Sequence, residues 1–521
     1  MEPPRVHITT YGCQMNQLDA ELVAEVLRAS GARLETDAEE ADVLLLLTCS
    51  VRGHAEDRVF SNVGAIKTRK QREPGLVVGL LGCMAQQYGP ALRRRAPLVD
   101  LVCAPGRLAE LPDLIAQARS GKVAIALDPV RGEASAQQSG RLTVTSNPQS
   151  ATLLRPPKQP AGCEERVRNP QFSFSDAALD QAEVRRPLCG SSPGQAYVVA
   201  VRGCDNFCSY CVVPHVRGPE RSRAPSAILD EVRRLVGQGA RQITFLGQAV
   251  NQYAAVEVGR RWDLADLLQA AAETPDLARL AFITNHPRAF DERLAALFRE
   301  VPKVCPYLHM PAQSGSDAVL ARMNRGYTAA EYLERVAMAR RARPDVGVAS
   351  DFIVGFPGET AADFEATMDL VRRSRFSAAF VFKYSPRPKT VAAERYSDDV
   401  PMDEKRRRHA RLLALVEEIS GEENAKFVGR RVRIFVEEVS PKAGANSKSE
   451  TLLRPPKQPA GCEERVRNPK SLQLRGRTPC NRIVVFDGPA RLVGTEVAAR
   501  IEKVSPLTLF GSLETPSATR A

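Results

Sequence analysis

Three cysteines of the 521-residue chain, Cys204, Cys208 and Cys211, stand at C-x3-C-x2-C spacing just after a strand predicted at Tyr197–Val201. A four-iron, four-sulfide cluster usually takes four cysteine thiolates. Three leave one iron open, as a catalytic zinc keeps one position for its substrate. An open iron of this kind can chelate the amino and carboxylate groups of S-adenosylmethionine and pass it an electron. The cofactor then yields a 5′-deoxyadenosyl radical, while the protein supplies placement. A zinc site or three unrelated thiols is the competing reading, but it does not explain a tight loop following the first strand of a barrel.

A second set is dispersed in sequence. Cys13, Cys49 and Cys83 lie two or three residues beyond predicted strands at Val6–Thr10, Val43–Leu47 and Val77–Leu81. Their separations each match one βαβ unit. In an open parallel sheet the carboxyl ends of the strands share the edge where ligands bind, so the three thiols should converge there. Geometry alone leaves two readings: a second three-cysteine cluster, or three buried structural cysteines. Cys103, Cys189, Cys305 and Cys480 share no such spacing and read as buried small residues.

The elements that must position these thiols follow from the apolar pattern. In the first part of the chain, continuous apolar runs alternate with helical periodicity such as Asp19–Ala29, which predicts an open α/β domain of the flavodoxin type. From Gly132 to Pro193 the pattern dissolves into Ser, Gln, Pro and charge. Within that stretch Thr152–Pro170 is repeated, residue for residue, at Thr451–Pro469. No repeat architecture separates two copies by so much unrelated sequence. The copies therefore read as elements lodged in two surface loops, poorly ordered, with Cys163 and Cys462 idle.

The β/α alternation resumes at Ala196. Strands are predicted at Tyr197–Val201, Gln242–Leu246, Leu280–Ile283, Val304–His309, Val348–Ile353 and Ala378–Tyr384. Six such units suggest a partly closed parallel barrel with its chemistry at the carboxyl ends of the strands. Lys405–Arg411 opens the last helix and reads as a solvated face. Beyond Phe427, predicted strands at Val432–Val439, Arg482–Phe486 and Glu496–Lys503 suggest a small antiparallel barrel, interrupted by the second repeat copy.

Composition narrows the class. Hydrophobic residues at 43% and charged residues at 26% are those of a globular protein, and twelve cysteines are too sparse for a disulfide scaffold. No apolar run approaches the ~18 residues of a membrane span, and the N-terminus lacks a secretory pattern. The expectation is a cytoplasmic protein with no membrane partner. The formal net charge is +12; from Ala425 to Ala521 there are 18 Lys/Arg against 9 Asp/Glu, so most of the excess lies in the last fifth. Such asymmetry suits a module that meets phosphates.

Longer motifs add to this reading. They are Tyr11-Gly-Cys-Gln-Met-Asn-Gln (11–17), the run from Gly203 through the three cysteines to Pro219-Glu-Arg-Ser-Arg (203–223), and Leu246-Gly-Gln-Ala-Val-Asn (246–251). His309-Met-Pro-Ala-Gln-Ser-Gly-Ser (309–316), Met323-Asn-Arg-Gly-Tyr (323–327), Gly355-Phe-Pro-Gly-Glu-Thr (355–360) and Ser385-Pro-Arg-Pro (385–388) complete the set. With these motifs the chain resembles the radical S-adenosylmethionine methylthiotransferases over nearly its whole length, apart from the two loops.

The resemblance implies an α/β protein of three domains. A flavodoxin-like methylthiotransferase domain (4–121) is followed by a linker with the inserted repeat (122–189). Next come a partial (β/α)6 radical core (190–424) and a TRAM-type RNA-binding β-barrel (425–514), interrupted at about 443–471. It also implies two [4Fe-4S] clusters, a radical-generating one on Cys204, Cys208 and Cys211 and an auxiliary one on Cys13, Cys49 and Cys83. Two S-adenosylmethionine molecules would be used per turnover.

The implied substrate is a tRNA whose adenosine 37, next to the anticodon, carries an N6-isopentenyl group and gains a methylthio group at C2. The implied partners are that tRNA and a reduced flavodoxin- or ferredoxin-type electron donor, with the enzyme a monomer. Gln248, Gln313, Ser314, Gly355 and Gly358 are candidate contacts to the cofactor. Arg217, Arg221 and Arg223 would meet substrate phosphates or neutralise cluster charge.

Two positions depart from the family pattern: Ala249 stands where Asn is usual, and Lys389 where Gly is usual. Related enzymes act on threonylcarbamoyladenosine in tRNA or on an aspartate of a ribosomal protein. An RNA-binding protein with purely structural clusters is the reading from another class.

Overall fold

The computed structural model describes residues 2–50, 53–129, 193–440 and 472–514. Both repeat copies, with Cys163, Cys189 and Cys462, lie outside the described residues, as does most of the linker expected at 122–189.

The N-terminal unit is one parallel sheet built from β1 (Arg5–Thr10), β2 (Arg33–Leu34), β3 (Val43–Thr48), β4 (Val77–Gly82), β5 (Leu101–Cys103) and β6 (Ala124–Ala126). Their spatial order is β2-β1-β3-β4-β5-β6. Every residue of β3 and β4 is buried, because helices cover both faces and no strand position needs to be polar. Leu18, Leu22, Leu114 and Ile115 of the helices Gln14–Ala29 and Leu111–Arg119 pack on one face. Val59 and Val63 of the helix Gly53–Arg72 pack on the other. The sixth strand lies beyond residue 121, where the sequence reading ended this domain.

The central unit begins with β7 (Gln195–Val199), then β8 (Val201–Arg202) and β9 (Arg221–Ser222), which pair as a short antiparallel ribbon around the 203–220 loop. There follow β10 (Gln242–Leu246), a hairpin of β11 (Ala254–Glu257) and β12 (Arg260–Asp263), then β13 (Arg279–Phe282), β14 (Tyr307–His309), β15 (Gly347–Val354) and β16 (Ala378–Lys383). The parallel sheets β13-β10-β7 and β14-β15-β16 meet through a bridge between Leu280 and Val304, which makes the expected six-stranded open barrel. Phe245, Phe282, Phe290 and Phe298 are wholly buried beneath its outer helices. Truncating one such ring to alanine costs about 3–5 kcal/mol. On another side Tyr197, Val199, Leu246 and Ile283 join the hydrophobic cluster of the N-terminal sheet. The carboxyl ends of the barrel strands are thereby packed against the cysteine-bearing domain.

The C-terminal unit is a closed barrel of β17 (Arg431–Val439), β18 (Leu472–Arg477), β19 (Ile483–Gly488), β20 (Glu496–Val504) and β21 (Thr508–Leu513), in the order β17-β18-β19-β21-β20. All neighbours run antiparallel except β19 and β21. It is fixed to the core: Arg279 pairs with Glu496 at 2.6 Å and donates to the Arg477 carbonyl, while Asn424 donates to the carbonyls of Ser505 and Pro506.

The expectation for the last helix also changes here. The segment Lys405–Arg411 does belong to a helix, Met402–Ala425, but it is not simply a solvated face. Lys405 is 1% exposed and bonds Asp398 at 2.5 Å, and buried Arg408 pairs with Glu359 at 2.6 Å. Lys389 has φ +68°, a left-handed conformation natural for glycine. Lys389→Gly should relieve roughly 1–3 kcal/mol of strain and return about 0.4–1 kcal/mol as extra unfolded-chain freedom. The expected outcome is a higher urea midpoint at constant m value; an unchanged or lower midpoint counts against strain at this residue.

Candidate functional site

The loop carrying Cys204, Cys208 and Cys211 is held by backbone bonds on both sides. Gly203 (φ +72°) allows the turn into it, since a Cβ there would lie 2.0 Å from the Pro219 carbonyl oxygen. Cys204 N–H donates to the Gly218 carbonyl, Cys211 N–H to the Cys208 carbonyl, and Ser209 N–H to the Met323 carbonyl. Two side chains donate to the sulfurs: Asn206 Nδ2 lies 3.2 Å from Cys204 Sγ, and Arg325 Nη1 lies 3.2 Å from Cys208 Sγ.

Asn206 is fixed in turn by Gln252, at 2.6 Å. Arg325 is fixed by the Tyr327 hydroxyl and the Pro311 carbonyl. Burial opposes charge on Arg325, yet the group stays above its ordinary value, helped by Cys208 and by its hydrogen bond to the Tyr327 hydroxyl. Burial raises the Cys204 thiol and pushes Cys211 up to about 12. These are free thiols; coordination to iron deprotonates a cysteine outright. Donors aimed at sulfur suit bound thiolates, whose hydrogen bonds also set a cluster's potential.

Cys13, Cys49 and Cys83 meet at the carboxyl edge of the N-terminal sheet, as the topology requires. Gly12 (φ +133°) makes room, since a Cβ at that position would lie 2.6 Å from Cys49 Cβ. A hydrogen bond from Cys49 is the main influence drawing the Cys13 thiol down to about 6, against burial and with help from Arg217. Cys83 begins the helix Cys83–Tyr88, and its burial raises its thiol.

Arg217, six residues past Cys211, crosses to this set from the barrel. Its Nε lies 3.3 Å from Cys83 Sγ, and its Nη2 lies 2.7 Å from Asp19 Oδ2 and 3.0 Å from Asn16 Oδ1. The Arg217 and Asp19 side chains are only 6% and 2% exposed. Of the two roles open to Arg217 in the sequence, neutralising charge at the cysteine set fits this position and phosphate contact does not. Arg223 is committed to Glu231 at 2.7 Å and to the Val199 carbonyl. Arg221 lies in the β8–β9 ribbon opposite Arg202. Among the described residues no three His, Cys, Asp or Glu side chains crowd one point as ligands of a single ion. Each set has an arginine bonded to one of its sulfurs, Arg325 to Cys208 and Arg217 to Cys83.

The candidate cofactor contacts divide. The Gln248 Oε1 is buried and has no hydrogen-bond partner. Gln313 sits at φ +72°, stitched to β15 through the Asp351 carbonyl and the Ile353 amide. Strained backbone of this kind gathers at functional sites. Ser314 is differently placed: its hydroxyl lies 3.3 Å from Thr367 Oγ1 and accepts from the Ser316 N–H.

Gly355 and Gly358 form a tight turn whose polar groups bond within the protein, to Glu359, Asp399 and Arg322. A Cβ at Gly355 would lie 2.3 Å from the Lys405 side chain. Asn251 spends both ends of its amide on the His286 backbone, and Ala249 is a buried methyl.

Sequence reasoning assigned no role to Asn206, Arg325, Asn16 or Asp19. Arg325 lay inside a quoted motif, but its spacing to Cys208 carries no periodic signal.

Two family models match the chain: "Radical SAM superfamily" over residues 198–371 and "Uncharacterized protein family UPF0004" over residues 5–104. Among curated proteins, it is 39% identical to a tRNA-2-methylthio-N(6)-dimethylallyladenosine synthase of Rhodopirellula baltica, with 98% of this chain and 95% of the relative aligned. A protein of the same name from Geobacter sulfurreducens is 38% identical over 98% of this chain and 97% of the relative. One from Porphyromonas gingivalis is 36% identical over 98% and 96%.

Proposed function

The chain belongs to the family of tRNA-2-methylthio-N(6)-dimethylallyladenosine synthases, and from that premise we propose that it replaces the C2 hydrogen of N6-isopentenyladenosine 37 in tRNA with a methylthio group. The observation that carries the reading is the pair of cysteine sets facing one buried interface, with Arg217 reaching from the Cys211 side to Cys83. Cys204, Cys208 and Cys211 would hold a [4Fe-4S] cluster, which would supply the electron for cleavage of S-adenosylmethionine, and Cys13, Cys49 and Cys83 would hold a second, which would supply sulfur. Asn206 and Arg325 orient the first set of thiols and lower their cost as anions. Arg217 does the same for the second.

A base can enter such an interface only when unstacked, which an anticodon loop permits. In the described barrel, Arg431, Arg433, Arg475, Arg477 and Arg500 are matched by nearby carboxylates. Arg430, Arg491 and Lys503 have no ion-pair partner among the described residues, and they are our candidates for phosphate contact.

The domain roles proposed are sulfur holding for the N-terminal sheet, radical generation for the central barrel and tRNA grip for the C-terminal barrel. No described helix is long and apolar enough to cross a membrane. We place the enzyme in the cytoplasm as a monomer, reduced by a flavodoxin- or ferredoxin-type donor.

Nucleoside mass spectrometry of tRNA from cells lacking the gene tests the substrate. The expected profile loses 2-methylthio-N6-isopentenyladenosine and accumulates N6-isopentenyladenosine. An unchanged profile would pass the case to threonylcarbamoyladenosine or a ribosomal protein aspartate.

A further inference from the structure

The six barrel strands send alternate residues to an outer and an inner face. On β7, β10 and β13 the inner residues Tyr197, Val199, Leu246 and Ile283 pack under the N-terminal domain. On β15 and β16 the outer residues Phe352, Val354, Ala379 and Val381 pack into the core beneath the surrounding helices. The inner residues of these two strands include Asp351, Ile353, Phe380 and Phe382. They are in register, with Asp351 beside Phe380 and Ile353 beside Phe382.

This half of the inner face is only partly covered. Phe380 is 52% exposed, more than any other described phenylalanine. The helix Met402–Ala425 lies on the opposite side of the strand, where His409 bonds the Val381 carbonyl. A single apolar side chain on an outer surface is ordinary; one on the inner face of a barrel, beside a carboxylate, calls for an occupant. Asp351 is held by one oxygen: His309 Nε2 lies 3.3 Å from its Oδ1, and the two side chains are 16% and 24% exposed. Its Oδ2 accepts from no side chain among the described residues.

The face has a direction. Ile353 packs with Tyr210, which lies between Cys208 and Cys211, in one hydrophobic cluster. Ile353 and Phe382 therefore form the end nearer the radical-cluster thiols. Asp351 and Phe380 lie one pleat further from them, about 7 Å along the strands. A ligand spanning the two levels meets an apolar wall with one open acceptor, since an ionised carboxylate accepts and never donates.

An N6-isopentenyl group has the matching chemistry: one N–H donor and a five-carbon arm without a polar atom. In adenine C2 and C6 flank N1, so a base that turns C2 toward the thiols carries N6 away from them, toward Asp351 and Phe380. Resting on the substrate reading above, we propose that Phe380 is a specificity-determining residue, its ring receiving the isopentenyl arm while Asp351 Oδ2 accepts the N6–H.

The test is anaerobic equilibrium binding of anticodon stem-loop RNAs to full-length, iron-reconstituted protein. The RNAs carry N6-isopentenyladenosine or adenosine at position 37. A single methylene in a fitted apolar pocket corresponds to about 10-fold or more, so wild-type protein should prefer the isopentenylated RNA by at least that factor. In Phe380→Ala the preference should fall to within about threefold, with adenosine RNA bound as by wild type. Phe380→Leu, which keeps an apolar side chain, should retain most of it, and iron content should match wild type in both. A third RNA has an ether oxygen in place of the N6–H, which turns a lone pair toward the carboxylate. Wild-type protein should bind it roughly 10- to 100-fold more weakly than the isopentenylamine RNA, and Asp351→Ala should bind the two alike.

Full preference in Phe380→Ala, or equal weakening of both RNAs, would overturn the proposal. So would ether and amine RNAs bound alike by wild type. Wild-type protein that binds the isopentenylated and adenosine RNAs equally would overturn the proposal and leave the tRNA reading standing, whereas binding of neither would refute that reading itself.

Discussion

Replacing Cys13, Cys49 and Cys83 together with alanine is expected to abolish methylthio transfer while reductive cleavage of S-adenosylmethionine to 5′-deoxyadenosine continues. The two cysteine sets belong to different domains, and each has its own sulfur-directed donors. Asn206 and Arg325 serve Cys204 and Cys208 without any contribution from the N-terminal sheet. Alanine at the three sheet positions removes sulfur from a buried edge, and Arg217 keeps its bond to Asp19. Iron content should fall by about half after reconstitution, and product tRNA should be undetectable by mass spectrometry. The reciprocal variant, alanine at Cys204, Cys208 and Cys211, should lose both product and 5′-deoxyadenosine. If the first variant also lost 5′-deoxyadenosine, the division of labour between the sets would be wrong.

The second large effect concerns Arg217 and Asp19. A buried ion pair gains little over a well-packed apolar pair, but removing one partner strands a charge and typically costs about 3–5 kcal/mol. Arg217 has three reasons to stay charged against its burial, namely Asp19, Cys83 and Cys13. Arg202 adds a longer contact to Asp19, at 3.9 Å, which cannot replace the 2.7 Å bond. Arg217→Met should therefore lower unfolding free energy by about 3–5 kcal/mol. The double variant Arg217→Met with Asp19→Leu should recover most of that loss, giving a coupling energy at the upper end of the usual 0.5–3 kcal/mol range or beyond it. Urea unfolding of the four proteins reads this directly. A single variant as stable as wild type would show that the charges are solvated and that the interface is looser than described.

The sequence was most informative where chemistry depends on local spacing or strand topology. The three cysteines of the 203–211 loop are adjacent in sequence, so their pattern was visible at once. Cys13, Cys49 and Cys83 were recoverable because parallel strands impose a common edge, and β1, β3 and β4 do lie side by side. Whether they formed a site was not settled by spacing; the arginine between them came from a loop more than a hundred residues away.

Strands β18 and β21 were missed. Leu472–Arg477 alternates apolar with polar or charged residues over only six positions just past the repeat, and Thr508–Leu513 is equally short. Lys405 and Arg408 looked solvated because charge in a helix usually is. Their burial depends on Asp398 and Glu359, whose positions only the fold supplies.

The central claim is that a radical made at Cys204, Cys208 and Cys211 takes the hydrogen from C2 of the target base. Its most direct test uses tRNA carrying N6-isopentenyladenosine deuterated at C2, with reconstituted enzyme and unlabelled S-adenosylmethionine. The account predicts deuterium in 5′-deoxyadenosine, in step with methylthiolated tRNA. Methylthiolated product with no deuterium in 5′-deoxyadenosine would contradict it.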